Sequence, residues 1–326
     1  MAIQTAVNVS LDEALREAEA RFSAANPKSA AQYQAATGSM PGGNTRSVLY
    51  YTPFPVTIAR AEGATLEDID GHRYTDFLGE YTAGLYGHSH PVILEAIREA
   101  LDGGLVFGGP NRHEAELARL LCERFPSLDL VRFTNSGTEA NLMALATARA
   151  ATGRERILAF QGGYHGGVLS FADGVSSPIN APFPCVLAPF NDEAATLALI
   201  ERHARELAAI IVEPMMGGGG GIPGTRPFLE TLRQAAARHG IVLIFDEVMT
   251  SRLSSGGLQK RLGIIPDMTT LGKYLGGGLT FGAFGGRRDL MRRYDPREKD
   301  AWSHAGTFNN NVLTMRSESE SASSWS

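Results

Sequence analysis

Apolar residues near the start of the chain recur at helical spacing. Leu11, Leu15 and Phe22 fall on one face of a helix when they are separated by four and seven positions. They follow Ser10, a residue type that often begins a helix by accepting a backbone hydrogen bond. The pattern predicts an amphipathic helix over residues 11–25.

The segment from Val56 to Phe77 has a different period. Two short runs alternate between apolar and polar residues, and Gly63 and Asp70-Gly71 are turn signals between them. This pattern predicts a small antiparallel element. We place it with the preceding helix in an N-terminal region, residues 1–80.

Beyond Pro91 helical patterns alternate with short apolar runs, such as RILAF, AAIIV and IVLIF. This alternation predicts an α/β fold with a mainly parallel sheet and helices on both faces. We assign it to a large domain, residues 81–315. Ligands of such sheets bind beyond the carboxyl ends of the strands, so the polar residues that follow each strand are the candidates for chemistry.

The last stretch, Arg316 to Ser326, reads RSESESASSWS. Serine and glutamate at this density bury too little apolar surface to order a chain. We therefore predict a disordered tail over residues 316–326.

Composition narrows the classes of function. The 326 residues include 30 Lys and Arg against 35 Asp and Glu, a net charge of −5 that disfavours nucleic acid as the main partner. Glycine is enriched at 37 residues, and its clusters suggest backbone that comes close to a ligand.

The two cysteines, Cys122 and Cys185, are far apart and have no metal-site spacing, so neither a disulfide framework nor a metal is expected. The first 25 residues have no signal-peptide pattern, and no apolar run is long enough for a membrane helix. We expect a cytoplasmic protein with no membrane partner.

A glycine-containing turn follows the predicted strand VRF. Ser136, Gly137 and Thr138 would lie at the start of a helix, where backbone N–H groups and the helix dipole attract a phosphate. The alternative is an ordinary helix cap made by Ser136 or Thr138, with Glu139 in the first turn.

Two further loops follow strands. Tyr164 and His165 lie among four glycines, where an aromatic ring can stack on a planar ligand; a flexible connector whose tyrosine packs on the core is the equal alternative. Glu213 follows the strand AAIIV and precedes the glycine run 217–221, whose function the sequence does not reveal.

Asp246 and Glu247 follow five apolar residues at the end of a buried strand. A nucleotide-hydrolysing enzyme would need the phosphate loop GxxxxGK[ST], which is absent, because Lys273 is followed by tyrosine. Lys273 lies between apolar residues, with glycines on both sides. Burial there would neutralise it and make it a nucleophilic amine, although a lone lysine is more often a surface residue.

Together these features match what pyridoxal phosphate needs: a lysine for the Schiff base, an acid for the pyridine nitrogen, an aromatic residue for the ring and a helix start for the phosphate. The segments TNSGTEAN, GGYHGG, IVEP, LIFDEVMTSR, TTLGKYLGGG and GTFNNN, in this order, resemble class III aminotransferases of fold type I. The likeness is greatest to β-amino acid aminotransferases and to their neighbours, the glutamate-1-semialdehyde aminomutases.

The resemblance implies roles for individual residues. Lys273 would form the Schiff base and Asp246 would bind the pyridine nitrogen, so these two are the expected catalytic residues. The remaining cofactor contacts would come from Ser136, Gly137, Thr138, Tyr164, His165, Glu213 and Thr307. Thr307 would reach the phosphate of a neighbouring subunit, which implies a homodimer. Arg46 would hold the substrate carboxylate, although its surroundings, PGGNTRSV, depart from the aminomutase pattern.

Family members continue beyond Met315 into a C-terminal small domain, so we expect this domain to be incomplete here. The predicted function is transfer of an amino group from an amino acid, such as β-phenylalanine, to a 2-oxo acid. The alternatives are an aminomutase, which needs no oxo-acid acceptor, and a catalytically impaired homologue that still binds the cofactor.

Overall fold

The computed structural model describes residues 10–172 and 174–323, which form two compact units. The first unit contains the described residues up to Gly79 together with Gly87–Ser89. The second contains Glu80–Tyr86 and the described residues from His90 onward.

The described part of the first unit contains two α-helices and a three-stranded antiparallel sheet with strand order β1-β2-β3. These elements are α1 (Leu11–Ala25), α2 (Pro27–Thr37), β1 (Ile58–Glu62), β2 (Thr65–Asp68) and β3 (Arg73–Thr75). The predicted helix and antiparallel element are both confirmed. Ser10 caps α1 in a capping box, in which its hydroxyl accepts from the Glu13 N–H and the Glu13 carboxylate accepts from the Ser10 N–H.

A buried carboxylate organises the small sheet. Asp68, which is 2% exposed, accepts hydrogen bonds from the Tyr74 hydroxyl at 2.6 Å and from the His72 backbone N–H at 2.9 Å. Burial alone would raise the pKa of Asp68, but the hydrogen bonds from Tyr74 and His72 outweigh it and lower this pKa to about 2. Asp68 is therefore an anion that holds the turn after β2 in place.

The second unit is built on a seven-stranded sheet with strand order β4-β12-β11-β10-β7-β5-β6. The strands of this unit are β4 (Leu130–Thr134), β5 (Arg156–Phe160), β6 (Cys185–Ala188), β7 (Leu207–Val212), β8 (Met215–Met216), β9 (Ile222–Pro223), β10 (Val242–Asp246), β11 (Met268–Gly272) and β12 (Gly282–Gly286). Only β12 runs antiparallel to its neighbours in the large sheet, and β8 and β9 form a separate short pair. The mainly parallel sheet is confirmed.

Helices cover both faces of this sheet. After α3 (Gly79–Thr82), a single turn with left-handed backbone that links the units along the chain, the helices are α4 (Pro91–Asp102), α5 (Arg112–Arg124), α6 (Gly137–Thr152), α7 (Glu193–His203), α8 (Arg226–His239), α9 (Gly257–Leu262), α10 (Arg288–Met291) and α11 (Val312–Ser323). Alternate residues of β10 point to opposite faces. Phe245 packs in a core cluster with residues of α8, and Ile244 packs in another cluster with residues of α6.

The end of the described chain differs from the prediction. Helix α11 continues through Ser323, so the prediction of a disordered tail from Arg316 is wrong up to that residue, and residues 324–326 lie outside the described residues. The reason is the start of the segment: Met315 and Ser317 are buried, and the Ser317 hydroxyl donates to the carbonyl of Gly276 at 3.2 Å. Arg316 also donates to the Glu99 carboxylate at 2.9 Å.

Two further features of the described ranges bear on function. None of their helices is long and apolar enough to cross a membrane. Within the same ranges, no group of three or more His, Cys, Asp and Glu side chains is arranged to hold a metal ion.

Candidate active site

The buried carboxylate of Asp246 lies at the carboxyl end of β10, near the middle of the sheet. Its Oδ2 atom accepts hydrogen bonds from His165 Nδ1 and Asn141 Nδ2, each at 2.8 Å. Its Oδ1 atom accepts from the backbone N–H of Val248 at 3.0 Å. Three donors fix the orientation of the carboxylate. A carboxylate has about four acceptor sites, so it can hold one further protonated group.

His165 is buried directly behind this carboxylate and is 3% exposed. Burial alone would lower the pKa of His165, but the hydrogen bond to Asp246 and the charges of Asp246 and Glu213 outweigh it, so the pKa lies above its ordinary value. The raised pKa favours the protonated, imidazolium form of His165. His165, predicted as a cofactor contact, lies in position to act through Asp246.

The sequence pattern did not single out Asn141, which the structure places in the same cluster. Its Nδ2 atom also donates to the carbonyl of His165 at 2.9 Å, and its Oδ1 atom accepts from the Thr270 hydroxyl at 2.6 Å. The sequence offered one signal for Asn141: it is a polar amide among apolar residues of the predicted helix, and its neighbours Ala140 and Ala144 are buried.

The turn between β4 and α6 has the geometry of an anion site. The Ser136 hydroxyl caps α6 by accepting from the Glu139 N–H at 3.2 Å, so the predicted cap is present. The N–H groups of Gly137 and Thr138 begin the helix, and first-turn N–H groups have no partner inside a helix. They are available to a phosphate together with the positive end of the helix dipole. The cap and the anion site are thus compatible.

Glycines bring neighbouring segments close to this turn. A Cβ atom at Gly166 would lie 2.2 Å from the Thr138 hydroxyl oxygen, and one at Gly137 would lie 2.9 Å from a methyl carbon of Val248. A Cβ at Gly272, next to Lys273, would lie 3.2 Å from the other methyl of Val248. The turn after β4, the chain after Asp246 and the lysine segment after β11 therefore meet at Val248.

Lys273 follows β11 and has a left-handed backbone, with φ of 55°. A residue other than glycine in this region costs on the order of 1–3 kcal/mol, and such strain clusters at functional sites. The lysine is partly exposed rather than fully buried, and its Nζ atom donates to the carbonyl of Tyr81 at 3.0 Å. Tyr81 is itself left-handed, with φ of 51°.

Glu213 ties two glycine loops together. It is 8% exposed, and its carboxylate accepts from the backbone N–H of Tyr164 at 2.9 Å and of Gly217 at 2.8 Å. Burial raises the pKa of Glu213; the charge of His165 opposes this and that of Asp246 adds to it. The Tyr164 side chain is half exposed, so it is not packed in the core. Gly217, the first residue of the glycine run, thus supplies one of the two backbone N–H groups that bind the Glu213 carboxylate.

Glu247, beside Asp246 in the chain, has different surroundings. Its carboxylate accepts from the backbone N–H groups of Leu258 at 2.7 Å and Gln259 at 3.0 Å, and from the Thr250 hydroxyl at 2.9 Å. Burial raises the pKa of Glu247, against the effect of these hydrogen bonds. This acid anchors the start of α9 instead of facing the Asp246 cluster.

Two predicted residues lie outside that cluster. Thr307 is exposed on a turn of the second unit. A 3.0 Å hydrogen bond from the side chain of Asn135 to that of Asn309 joins this turn to the one between β4 and α6. Arg46 is exposed in the first unit, where its N–H donates to the Asn44 side chain at 2.9 Å. The roles of both residues stay predictions.

The residues present fit pyridoxal phosphate. An oriented acid, a helix N-terminus with a glycine cradle and a strained lysine lie on one edge of a parallel sheet, and the Asp246 carboxylate keeps an acceptor site for a protonated ring nitrogen. This combination defines a fold-type-I pyridoxal phosphate enzyme.

The model of the family "Aminotransferase class-III" matches residues 49–321. The β-phenylalanine transaminase of Variovorax paradoxus is 56% identical over 94% of this chain and 70% of its own length. The glutamate-1-semialdehyde 2,1-aminomutase of Rhodopirellula baltica is 40% identical over 90% of this chain and 70% of its own length. A crystal structure of a β-phenylalanine aminotransferase from Variovorax paradoxus superposes with a TM-score of 0.92, at 56% identity over 95% of this chain and 72% of that one.

The chain belongs to the class III aminotransferase family. It is a pyridoxal phosphate-dependent aminotransferase, and its substrates are an amino donor and an oxo-acid acceptor. The predicted family, fold, cofactor and reaction class are confirmed.

Proposed function

We propose that this chain transfers the amino group of a β-amino acid, such as β-phenylalanine, to a 2-oxo acid such as 2-oxoglutarate. The observation that supports this donor most strongly is the likeness, in sequence and in backbone, to the Variovorax enzyme named above. The site supports the reaction class, because the acid, the lysine segment and the phosphate turn converge beside one strand end.

The roles of individual residues follow from their contacts. Bound pyridoxal phosphate supplies an electron sink for the carbon that carries the amino group. Asp246 holds a proton on the ring nitrogen, with His165 and Asn141 fixing its carboxylate. Gly137 and Thr138 bind the phosphate through backbone N–H groups, and Ser136 keeps the turn in shape.

The remaining residues act on the reacting groups. Lys273 would hold the cofactor through its Nζ atom, and as a free amine the same atom would move the proton of the amine-bearing carbon. Tyr164 lies against the cofactor ring, and Glu213 sets the position of that tyrosine through its backbone N–H. Arg46 binds the substrate carboxylate through two parallel hydrogen bonds.

Thr307 contacts the phosphate bound by a neighbouring subunit, which makes a homodimer the proposed assembly. A cytoplasmic location is likewise part of this proposal. Light scattering of the purified protein tests the assembly, since a monomer at working concentration would contradict the role of Thr307.

The donor is tested by supplying β-phenylalanine with and without 2-oxoglutarate, and α-phenylalanine as the matched comparison. We expect glutamate to form from the β-amino acid only when the acceptor is present. An aminomutase would turn over glutamate-1-semialdehyde without an acceptor. A catalytically impaired homologue would retain the visible band of the bound cofactor, but no amino donor would change it.

A further inference from the structure

We propose that Thr270 and Asn141 form a directional hydrogen-bond lock that positions the Asp246 carboxylate for the cofactor. This inference rests on the role given to Asp246 above, and it assigns a positioning function to two residues that are not among the predicted site residues. Both residues are buried, with Asn141 1% and Thr270 0% exposed.

The chemistry of the partners leaves one arrangement for the Asn141 amide. Its two contacts on the Asp246 side are the carboxylate oxygen of Asp246, at 2.8 Å, and the carbonyl oxygen of His165, at 2.9 Å. Both are acceptors, so the amide must present its NH2 group to them. The opposite orientation would place the amide oxygen against two oxygen atoms in a buried site.

Thr270 enforces this orientation from the other side. Its hydroxyl lies 2.6 Å from Asn141 Oδ1, and a hydroxyl has one proton to donate. Because the hydroxyl donates this proton to Oδ1, the amide cannot rotate without losing three hydrogen bonds together. The amide in turn donates to Oδ2 of Asp246, while the Val248 N–H donates to Oδ1.

The position of Thr270 in the sheet connects Asp246 with the strand that precedes Lys273. Thr270 pairs with Asp246 in the register of β10 and β11, and it precedes by three residues Lys273, which lies directly after β11. The lock therefore joins the strand of the lysine to the acid that binds the ring. A shift of β11 would be transmitted to the carboxylate through one amide.

The chain provides a matched control on the same strand. Thr269 is also 0% exposed, but its hydroxyl points to the other face of the sheet, 2.7 Å from the Ser127 hydroxyl and 3.0 Å from Gln259 Nε2. Thr269→Val and Thr270→Val thus remove one buried hydroxyl each, on opposite sides of β11.

The test uses the holoenzyme with bound pyridoxal phosphate and follows its visible band. Thr270→Val is expected to release the cofactor about tenfold faster, the size of one hydrogen bond, and to shift the band maximum. Thr270→Ser, which keeps the hydroxyl, should restore both values. Thr269→Val should lower the melting temperature and leave release and band unchanged.

Two measurements keep the result decisive. If Thr270 acts through Asn141, then Thr270→Val adds nothing to the release rate in an Asn141→Ala background. The lock would be overturned if Thr269→Val and Thr270→Val changed cofactor release equally, or if the effects of Thr270→Val and Asn141→Ala were additive. If Thr270→Val does not fold, the release rate of Asn141→Ala is compared with that of Thr269→Val instead, and equal rates would overturn the lock. Asp246→Asn distinguishes a failure of the lock from a failure of the proposed function. An unchanged visible band in that variant would contradict the role of Asp246 itself.

Discussion

Asp246 and Glu247 are adjacent acids that are both buried, yet their hydrogen-bond donors come from different parts of the chain. The donors around Asp246 come from α6, from the loop after β5 and from its own strand end, and each of these segments bears a predicted cofactor contact. The donors around Glu247 come from Thr250 and the start of α9, a local structural anchor. Burial alone therefore does not separate the proposed catalytic acid from the structural one, and the two differ in the origin of their hydrogen-bond donors.

The largest expected effect is that of Asp246→Asn. The amide cannot hold a proton on the ring nitrogen as a carboxylate does, so we expect kcat to fall by about 10²–10⁴-fold, the usual range for loss of a positioned proton-transfer group. Steady-state kinetics with β-phenylalanine and 2-oxoglutarate measure this. Turnover at the wild-type rate would remove Asp246 from the chemistry.

Arg46→Ala tests recognition of the substrate apart from the cofactor. Loss of a charge-assisted hydrogen bond costs about 1.5–3 kcal/mol, so kcat/KM for β-phenylalanine should fall by about 10- to 150-fold. The visible band of the bound cofactor should not change, in contrast to Asp246→Asn. Unchanged kinetics with all carboxylate donors would make Arg46 a surface residue.

Glu247→Gln tests the architectural half of the comparison. The new NH2 group would face the N–H donors of Leu258 or Gln259, which should lower the free energy of unfolding by about 1–3 kcal/mol. Denaturant unfolding measures the loss, and the turnover of the folded variant serves as its control. A variant as stable as wild type but inactive would reverse the assignment of the two acids.

Asp68 in the first unit is a third buried acid, and its lowered pKa predicts how stability depends on pH. Its pKa of about 2 lies below the unfolded value of 3.8, so its contribution to stability is full above about pH 4 and is lost as the pH falls toward 2. Tyr74→Phe removes one donor and should move this loss to higher pH.

Hydrogen exchange of the His72 amide, which donates to Asp68, reports this transition locally. Tyr50→Phe is the control, because Tyr50 is an exposed tyrosine of the same unit. Equal acid profiles in the two variants would show that Tyr74 does not hold the charge of Asp68.

Much of this molecule could be predicted from local patterns. The alternation of helices and apolar strands specified the parallel sheet, and residues at strand ends, such as Asp246 and Lys273, were visible because polarity changes abruptly there. Asn141 and Thr270 were not predicted, because their importance lies in a contact between residues 129 positions apart. The helical course of residues 316–323 was missed because composition does not reveal that Met315 and Ser317 pack on the large domain.

The attachment of the cofactor to Lys273 tests the account most directly. The chain has four lysines, Lys28, Lys260, Lys273 and Lys299, so a reduced adduct can be assigned without ambiguity. Borohydride reduction of the holoenzyme, followed by peptide mapping, should place the reduced cofactor on Lys273 and abolish the visible band. A reduced adduct on any other lysine, or none on a protein that carries the cofactor, would contradict the active site described above.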